Sequence, residues 1–511
     1  MKHTINKRFI FILMSAGIIF GSSCKKTYLD VNSDPNRVTD ANVTAELIFP
    51  AAAAEVGSRA ASGNFTFLNE WLGYWAPNGG FVPQQNVITY NIDFTFGDVL
   101  FQNHYNALFD LHQAEVKGLA TGDSAVAGAS IILSAKLFQE LVDLYGDVPY
   151  SQTFQVVKYT TPVYDKAQDI YNSLQKRLDT AIMYMKLPQV KAFAPADIIN
   201  NGNAGRWIAF ANTLKLRLLI RQSEASGFNW SAEIAKIQAT GGVLTAGQSI
   251  SVNPGYVNDV DKQNPYYDNY GWTPTGTQSN LSTDANEYIV NVLSTTHDPR
   301  LDRLFFPGGF DPANGYVGNV FGDPIGTLAQ ASASSYFGPA LVGELNGSNV
   351  GNGYSRNQFI YPSYESLFLY AEAVARKWIS GDANAALAAA IKESFVWLGV
   401  PNAATAATTY IAANPKIAKV SSDSSVATNV KIIAYQKYIA NTGIDPLESY
   451  FDLNRLHFLT DKSYISTAPG LVSHSLPLRL LYPQSEYTTN AGNTPKQVAG
   501  DAFTQKLFWE P

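Results

Sequence analysis

A mainly α-helical fold, with helix pairs carrying a large irregular loop-rich region, is predicted by three observations. Apolar residues recur at helical spacing over seven segments. Gly, Asn and Pro signals punctuate those segments. Between them lie long stretches rich in Gly, Asn, Pro, Ser and Thr, the residues that make turns for stereochemical reasons.

The first helix is expected over 124–145, where Ile131, Ala135, Phe138 and Val142 form one stripe. Gly146-Asp147-Val148-Pro149 stops it, because Pro cannot continue a helix and biases its predecessor away from the helical region. A second is expected over 165–187, with Ile170, Leu174, Leu178 and Ala181 on its apolar face, and a third over 206–223, announced by Asn200-Asn201-Gly202. Tyr364, Phe368, Ala371, Ala375 and Trp378 mark a fourth, closed by Gly381. Gly381-Asp382-Ala383-Asn384 then precedes a fifth over 385–398, and two more are expected over 429–440 and 447–458. The irregular stretches are about 60–100, 240–285 and 305–360. Loops of that length in a compact protein usually carry function.

The chain has 511 residues, 46% of them hydrophobic, 13% aromatic and only 15% charged. Such a composition buries enough apolar surface to offset its ordering entropy, which excludes a disordered chain. The net charge of −6 offers no basic footprint for nucleic acid. The six histidines form no metal-binding spacing, and no Gly-rich phosphate loop is present. Asp30, Asn32 and Asp34 start like a calcium loop, but Pro35 and Ala41 stand where Gly and Glu are needed, so a turn is expected. The carboxylate pairs Glu448 with Asp452 and Asp298 with Asp302 lie one helical turn apart. Nearby Arg455 and Arg303 make structural ion pairs the reading there. No cofactor, metal or catalytic set is expected.

Residues 1–23 read as a secretory signal: Lys2, Lys7 and Arg8 precede an apolar run from Phe9 to Phe20 that is too short to span a bilayer. No later stretch reads as a spanning helix. Cys24, the only cysteine, follows Gly21-Ser22-Ser23, which resembles the lipobox of bacterial lipoproteins. That resemblance implies acylation of Cys24; an ordinary signal peptide with an incidental cysteine is the alternative.

Lys and Arg are absent from 60–116, 263–299 and 304–355, so the loops are poorly suited to an anion. Aromatics crowd the same stretches: Phe65, Phe67, Trp71, Tyr74, Trp75 and Phe81 in one, and Tyr266, Tyr267, Tyr270 and Trp272 beside Asn264, Asp268 and Asn269 in another. Rings interleaved with amides and carboxylates suit a neutral polyhydroxylated ligand, since rings stack on the C–H faces of a sugar while polar groups pair its hydroxyls. Phe65 and Phe67 are expected in the core. Trp75, Tyr267, Tyr270 and Trp272, set among turn residues, are expected at the surface.

Eight motifs in order resemble the SusD/RagB family of Bacteroidetes outer-membrane lipoproteins. They are Tyr28-Leu29-Asp30-Val31-Asn32 with Asp34-Pro35-Asn36, Leu144-Tyr145-Gly146-Asp147-Val148-Pro149-Tyr150, Ala211-Asn212-Thr213-Leu214-Lys215-Leu216-Arg217-Leu218, Asp298-Pro299-Arg300-Leu301, Ala371-Glu372-Ala373, Tyr435-Gln436-Lys437-Tyr438, Pro477-Leu478-Arg479, and Tyr482-Pro483-Gln484-Ser485-Glu486. The resemblance implies a single domain over 24–511 with a tetratricopeptide-like scaffold, an α-α superhelix. It also implies a non-enzymatic lipoprotein, anchored in the outer membrane and facing the cell exterior. Such a protein captures oligosaccharide for a SusC-like TonB-dependent transporter. By position in the loops, the ligand-binding arc would fall on Trp71, Tyr74, Trp75, Asn78, Tyr266, Tyr267, Tyr270 and Trp272. Capture of peptide or another nutrient by the same architecture, and a surface glycoside hydrolase, are the competing readings.

Overall fold

Only Gly122 and Asp123 separate the two longest helices of the computed structural model, which describes residues 43–511 apart from 62, 190 and 191. The signal segment, Cys24 and the motif over 28–36 lie outside the described residues. Ten helices form the scaffold: α1 (Ala45–Ala60), α2 (Asp98–Thr121), α3 (Ser124–Tyr145), α4 (Ala167–Lys186), α5 (Ala204–Arg221), α6 (Ser363–Ala375), α7 (Ala383–Trp397), α8 (Ala403–Ala413), α9 (Val426–Ala440) and α10 (Pro446–Leu456). Gly122, at φ 76, ends α2, and the Asp123 carboxylate then accepts the Val126 N–H at 3.2 Å to start α3, so the pair packs as antiparallel neighbours. Asn203, Asp382, Ser425 and Asp445 cap α5, α7, α9 and α10 in the same way.

Neighbouring helices pack in sequence, α2 on α3, α3 on α4 and α4 on α5, then α6 on α7 and α7 on α8, with α9 bridging α6 to α10. This is the tetratricopeptide-like arrangement. All seven expected helices are present, with ends displaced by at most three residues. Helices α1, α2 and α8 were not anticipated. Helix α3 is long and apolar enough to cross a membrane, contrary to the expectation for the later chain, but it is almost wholly buried within the scaffold.

The family motifs fall at helix ends and in a buried ionic network. Gly146 turns at φ 84 after α3, and Asp147 accepts the Ala167 N–H at 2.9 Å, which fixes the start of α4. From α5, Arg221 reaches Glu448 at 2.7 Å and Asp143 at 3.1 Å. Lys437 lies 3.1 Å from Asp452, and Arg455 lies 2.6 Å from Glu372. The Glu448–Asp452 pair is therefore structural, as expected. Asp298 pairs with Arg300 at 2.6 Å instead of Arg303, because Arg300 follows it in the same turn.

The three irregular stretches contain short helices and are stitched by antiparallel two-stranded ribbons. β1 (Trp75–Pro77) pairs with Thr283–Ala285, so the first stretch is tied to the end of the second. Ile250–Val252 pairs with Gln358–Tyr361, so the second is tied to the third. One apolar core runs from Ala45 to Trp509 through scaffold and loops alike.

Candidate functional site

All eight residues assigned by sequence to the ligand arc are buried, at 0–3% exposure. The expected exposure of Trp75, Tyr267, Tyr270 and Trp272 is therefore corrected, whereas Phe65 and Phe67 lie in the core as expected. The cause is the irregular backbone around them. Loops leave carbonyls without ladder partners, and such groups cannot be buried unpaired. A phenol carries a donor at the tip of a large apolar ring, so tyrosine can fill the core and satisfy a carbonyl together.

The hydrogen bonds follow that logic. Tyr266 donates to the Gly443 carbonyl and Tyr267 to that of Gly351, each at 2.6 Å. Tyr74 donates to the Tyr438 carbonyl at 2.6 Å, and the Tyr438 hydroxyl returns a bond to the Leu72 carbonyl. Trp75 packs against Tyr270 and Phe337 with ring centroids 4.9 and 4.6 Å away, and Trp272 lies 5.8 Å from Tyr336. A Cβ on Gly351 would fall 2.5 Å from the Trp272 ring, so glycine is what permits that approach.

One layer outside these rings lies a cleft of about 540 Å³ in the loop region. This is within the roughly 300–1,000 Å³ of small-molecule sites. Phe67, Phe81 and Phe96 supply its aromatic wall. Phe81 is 45% exposed and Val82 80% exposed, which makes them the rim. Thr66, Glu70, Asn86, Asn280, Ser282 and Thr283 add hydroxyl, carboxyl and amide groups. No Lys or Arg is among the described residues that line it.

The sequence-assigned residues hold this cleft from behind. Trp71 meets Phe67 edge-on at 4.7 Å and stacks on Phe96 at 5.8 Å, while its indole N–H donates to the Val87 carbonyl at 3.1 Å. Asn78 staples the two walls: its amide donates to the Leu281 carbonyl at 2.6 Å and its carbonyl accepts the Gly80 N–H at 2.9 Å. Tyr270 meets the Thr66 hydroxyl at 3.0 Å. The later cluster, Tyr266, Tyr267 and Trp272, does not reach the cleft.

Glu70 is the one charged residue type lining the cleft among the described residues, and its carboxyl has no hydrogen bond or cation among them. Burial pushes its pKa up to about 8, so it is mostly protonated at neutral pH. A neutral carboxyl both donates and accepts, which suits a hydroxyl-rich ligand. Asp284, behind the wall, is raised to about 6 by burial, with Ser334 and Asn78 pulling against the shift.

Phe81, counted among the crowded aromatics, is the exposed ring that the eight-residue arc leaves out. Its signal was its setting, directly after Gly79-Gly80 and two residues before Pro83, where a ring has no helix or strand to turn it inward.

The SusD-like family model, described as starch-binding and associating with the outer membrane, matches residues 35–483. No protein of curated function is detectably similar in sequence. Solved structures share the fold. A SusD/RagB family protein from Bacteroides thetaiotaomicron superposes with a TM-score of 0.71 at 20% identity, over 92% of this chain and 99% of that one. A chitin-binding SusD homolog from Flavobacterium johnsoniae gives 0.71 at 20% identity, over 90% and 98%. A SusD homolog from Bacteroides fragilis gives 0.70 at 18%, over 88% and 95%.

Proposed function

The chain belongs to the SusD-like family of starch-binding proteins associated with the outer membrane, and on that premise we propose that it captures a neutral oligosaccharide in the Phe67–Phe81–Phe96 cleft. The observation that carries this is the lining: aromatic faces beside hydroxyls and amides, with no cation and a carboxyl kept largely neutral. Sugar C–H faces would lie on Phe81 and Phe96, and Asn86, Ser282 and Glu70 would pair hydroxyls. Trp71, Asn78 and Tyr270 then act as the frame that holds the wall, not as the stacking surface.

The ligand would pass to a SusC-like TonB-dependent transporter, with the protein held by acyl chains on Cys24 after removal of 1–23 and facing the exterior as one domain over 24–511. A binding role without turnover fits the carboxylate pairs, since Glu448 and Asp452 are buried in ion pairs beyond a substrate's reach. Co-purification of a β-barrel transporter with the membrane-extracted protein tests the partnership.

Calorimetric titration with maltooligosaccharides and chitooligosaccharides tests the ligand; the family description motivates the first and the chitin-binding relative the second. Binding that Phe81→Ala weakens about tenfold or more, roughly 1.4 kcal/mol, supports the reading. Absence of binding to any neutral glycan, with peptides bound instead, overturns it. Bond cleavage abolished by a single carboxylate substitution would restore the hydrolase.

A further inference from the structure

Arg303 and Arg356 bound the cation-free stretch 304–355, and the fold brings both into a second cleft of about 330 Å³. Half-buried Phe359 and Trp397, whose rings meet edge-on at 5.8 Å, and buried Tyr266 supply its apolar wall. Ser249, Ser251 and Asn357 bring polar groups to the same space. No carboxylate is among the described residues that line it.

The two guanidinium groups are only partly engaged. Arg303 uses Nε on the Leu398 carbonyl at 3.0 Å and Nη2 on Glu344 at 2.7 Å. Arg356 uses Nη1 on the carbonyls of Pro339 and Ala340, at 2.7 and 3.2 Å. Nη1 of Arg303 and both Nε and Nη2 of Arg356 have no acceptor among the described residues. Glu344, with its side chain 58% exposed, offsets one of the two charges and leaves the cleft at about +1. The pKa of Arg356 is lowered by burial and by the neighbouring charge of Arg303, with Glu344 opposing, so an added anion would relieve it. Gly399, at φ +72, keeps Arg303 uncovered, since a Cβ there would lie 3.3 Å from Nη2.

We propose that this cleft is a second binding site, specific for an acidic sugar, whose carboxylate is taken by Arg303 and Arg356 while the ring lies on Trp397 and Phe359. Guanidinium forks match a carboxylate in geometry, and aromatic faces match the sugar ring. The single residual charge suits one singly charged carboxylate in the cleft, further rings of a longer ligand keeping theirs in solvent; a dianionic phosphate group would leave negative charge uncompensated in a partly buried site. The site shares only its ligand class with the neutral-glycan reading, and either can fail alone. The two clefts flank the short helix Pro265–Tyr270. Tyr266 lines the second cleft, its ring meets that of Tyr270 at 4.9 Å, and Tyr270 bonds Thr66 at the first.

The test is calorimetric titration of the full mature chain with trigalacturonate and with its methyl-esterified form. Trigalacturonate is expected to bind, to bind more weakly at high salt, and to lose about tenfold or more of its affinity in Arg303→Gln and in Arg356→Gln. Arg356→Lys retains part of the binding, which separates charge from loss of fold, and an unchanged melting temperature verifies each variant. Neutral-glycan binding at the first cleft is expected to be unchanged in Arg356→Gln. The proposal is overturned if trigalacturonate does not bind, if the methyl ester binds equally well, or if neither arginine variant weakens binding. Loss of trigalacturonate binding in Phe81→Ala but not in Arg356→Gln would overturn it too, by assigning the acidic sugar to the first cleft.

Discussion

In the helical scaffold, Arg217, Arg221, Lys437 and Arg455 are buried against Asp143, Glu372, Glu448 and Asp452. The loops over 60–100 and 263–285 bury rings instead and contain no Lys or Arg. The difference follows from the backbone. Helices satisfy their own N–H and C=O groups, so polar side chains between them must find each other. Loops leave carbonyls open, and tyrosine hydroxyls close them. An ionic core sets helix positions through mutual geometry, whereas a ring-filled core ties irregular chain to whatever carbonyl lies within reach.

The largest effect is expected on the ionic side. Arg221→Leu leaves Glu448 and Asp143 short of a buried partner and should cost about 3–5 kcal/mol in urea unfolding. A loss below about 1 kcal/mol would show that the network does not hold the helices.

Next comes Glu70, the loop region's isolated acid. Its folded pKa of about 8 lies above the unfolded value near 4.5, so the folded state holds more protons between them. Its contribution is therefore complete below about pH 4.5 and lost as pH rises through about 8. Glu70→Gln should match the wild type at pH 4 and exceed it by about 3 kcal/mol at pH 7. A gap that does not grow with pH would mean that the carboxyl is solvated.

Tyr266→Phe isolates one hydroxyl-to-carbonyl bond and should cost about 1–2 kcal/mol, because the Gly443 carbonyl loses its donor. If Tyr266→Phe is neutral in thermal unfolding, shape and not hydrogen bonding explains the buried tyrosines. Phe81→Ala should change stability by no more than about 0.5 kcal/mol while weakening glycan binding, as expected of a half-exposed rim residue. A large loss of stability would place Phe81 with the core rings instead.

The scaffold was legible wherever burial is one-sided and apolar. Ile170, Leu174, Leu178 and Ala181 of α4 marked their helix directly. Helix α2 escaped because its buried face mixes His104 and Glu115 with small alanines, which dilutes the periodicity. Helices α1 and α8 are alanine-rich, and α1 carries Pro50 inside it. In the loops, composition marked where rings concentrate but not the direction of each ring. Tyr267 and Phe81 both sit among turn residues, and what separates them is the Gly351 carbonyl waiting for one and absent for the other. That carbonyl comes from chain far away in sequence, which local pattern does not report.

The reciprocal bonds between Tyr438 and the Leu72–Tyr74 segment also set an order of events. The backbone behind the candidate cleft, near the amino terminus, is fastened by a helix near the carboxyl terminus. Closing so long a loop is slow compared with pairing adjacent helices. As the chain is made, α2 can pair with α3 and α3 with α4 from neighbouring sequence, before the α9 residue that fastens the cleft exists. The frame of the cleft therefore closes last, and a product truncated before α9 would keep helix pairs without the finished cleft wall.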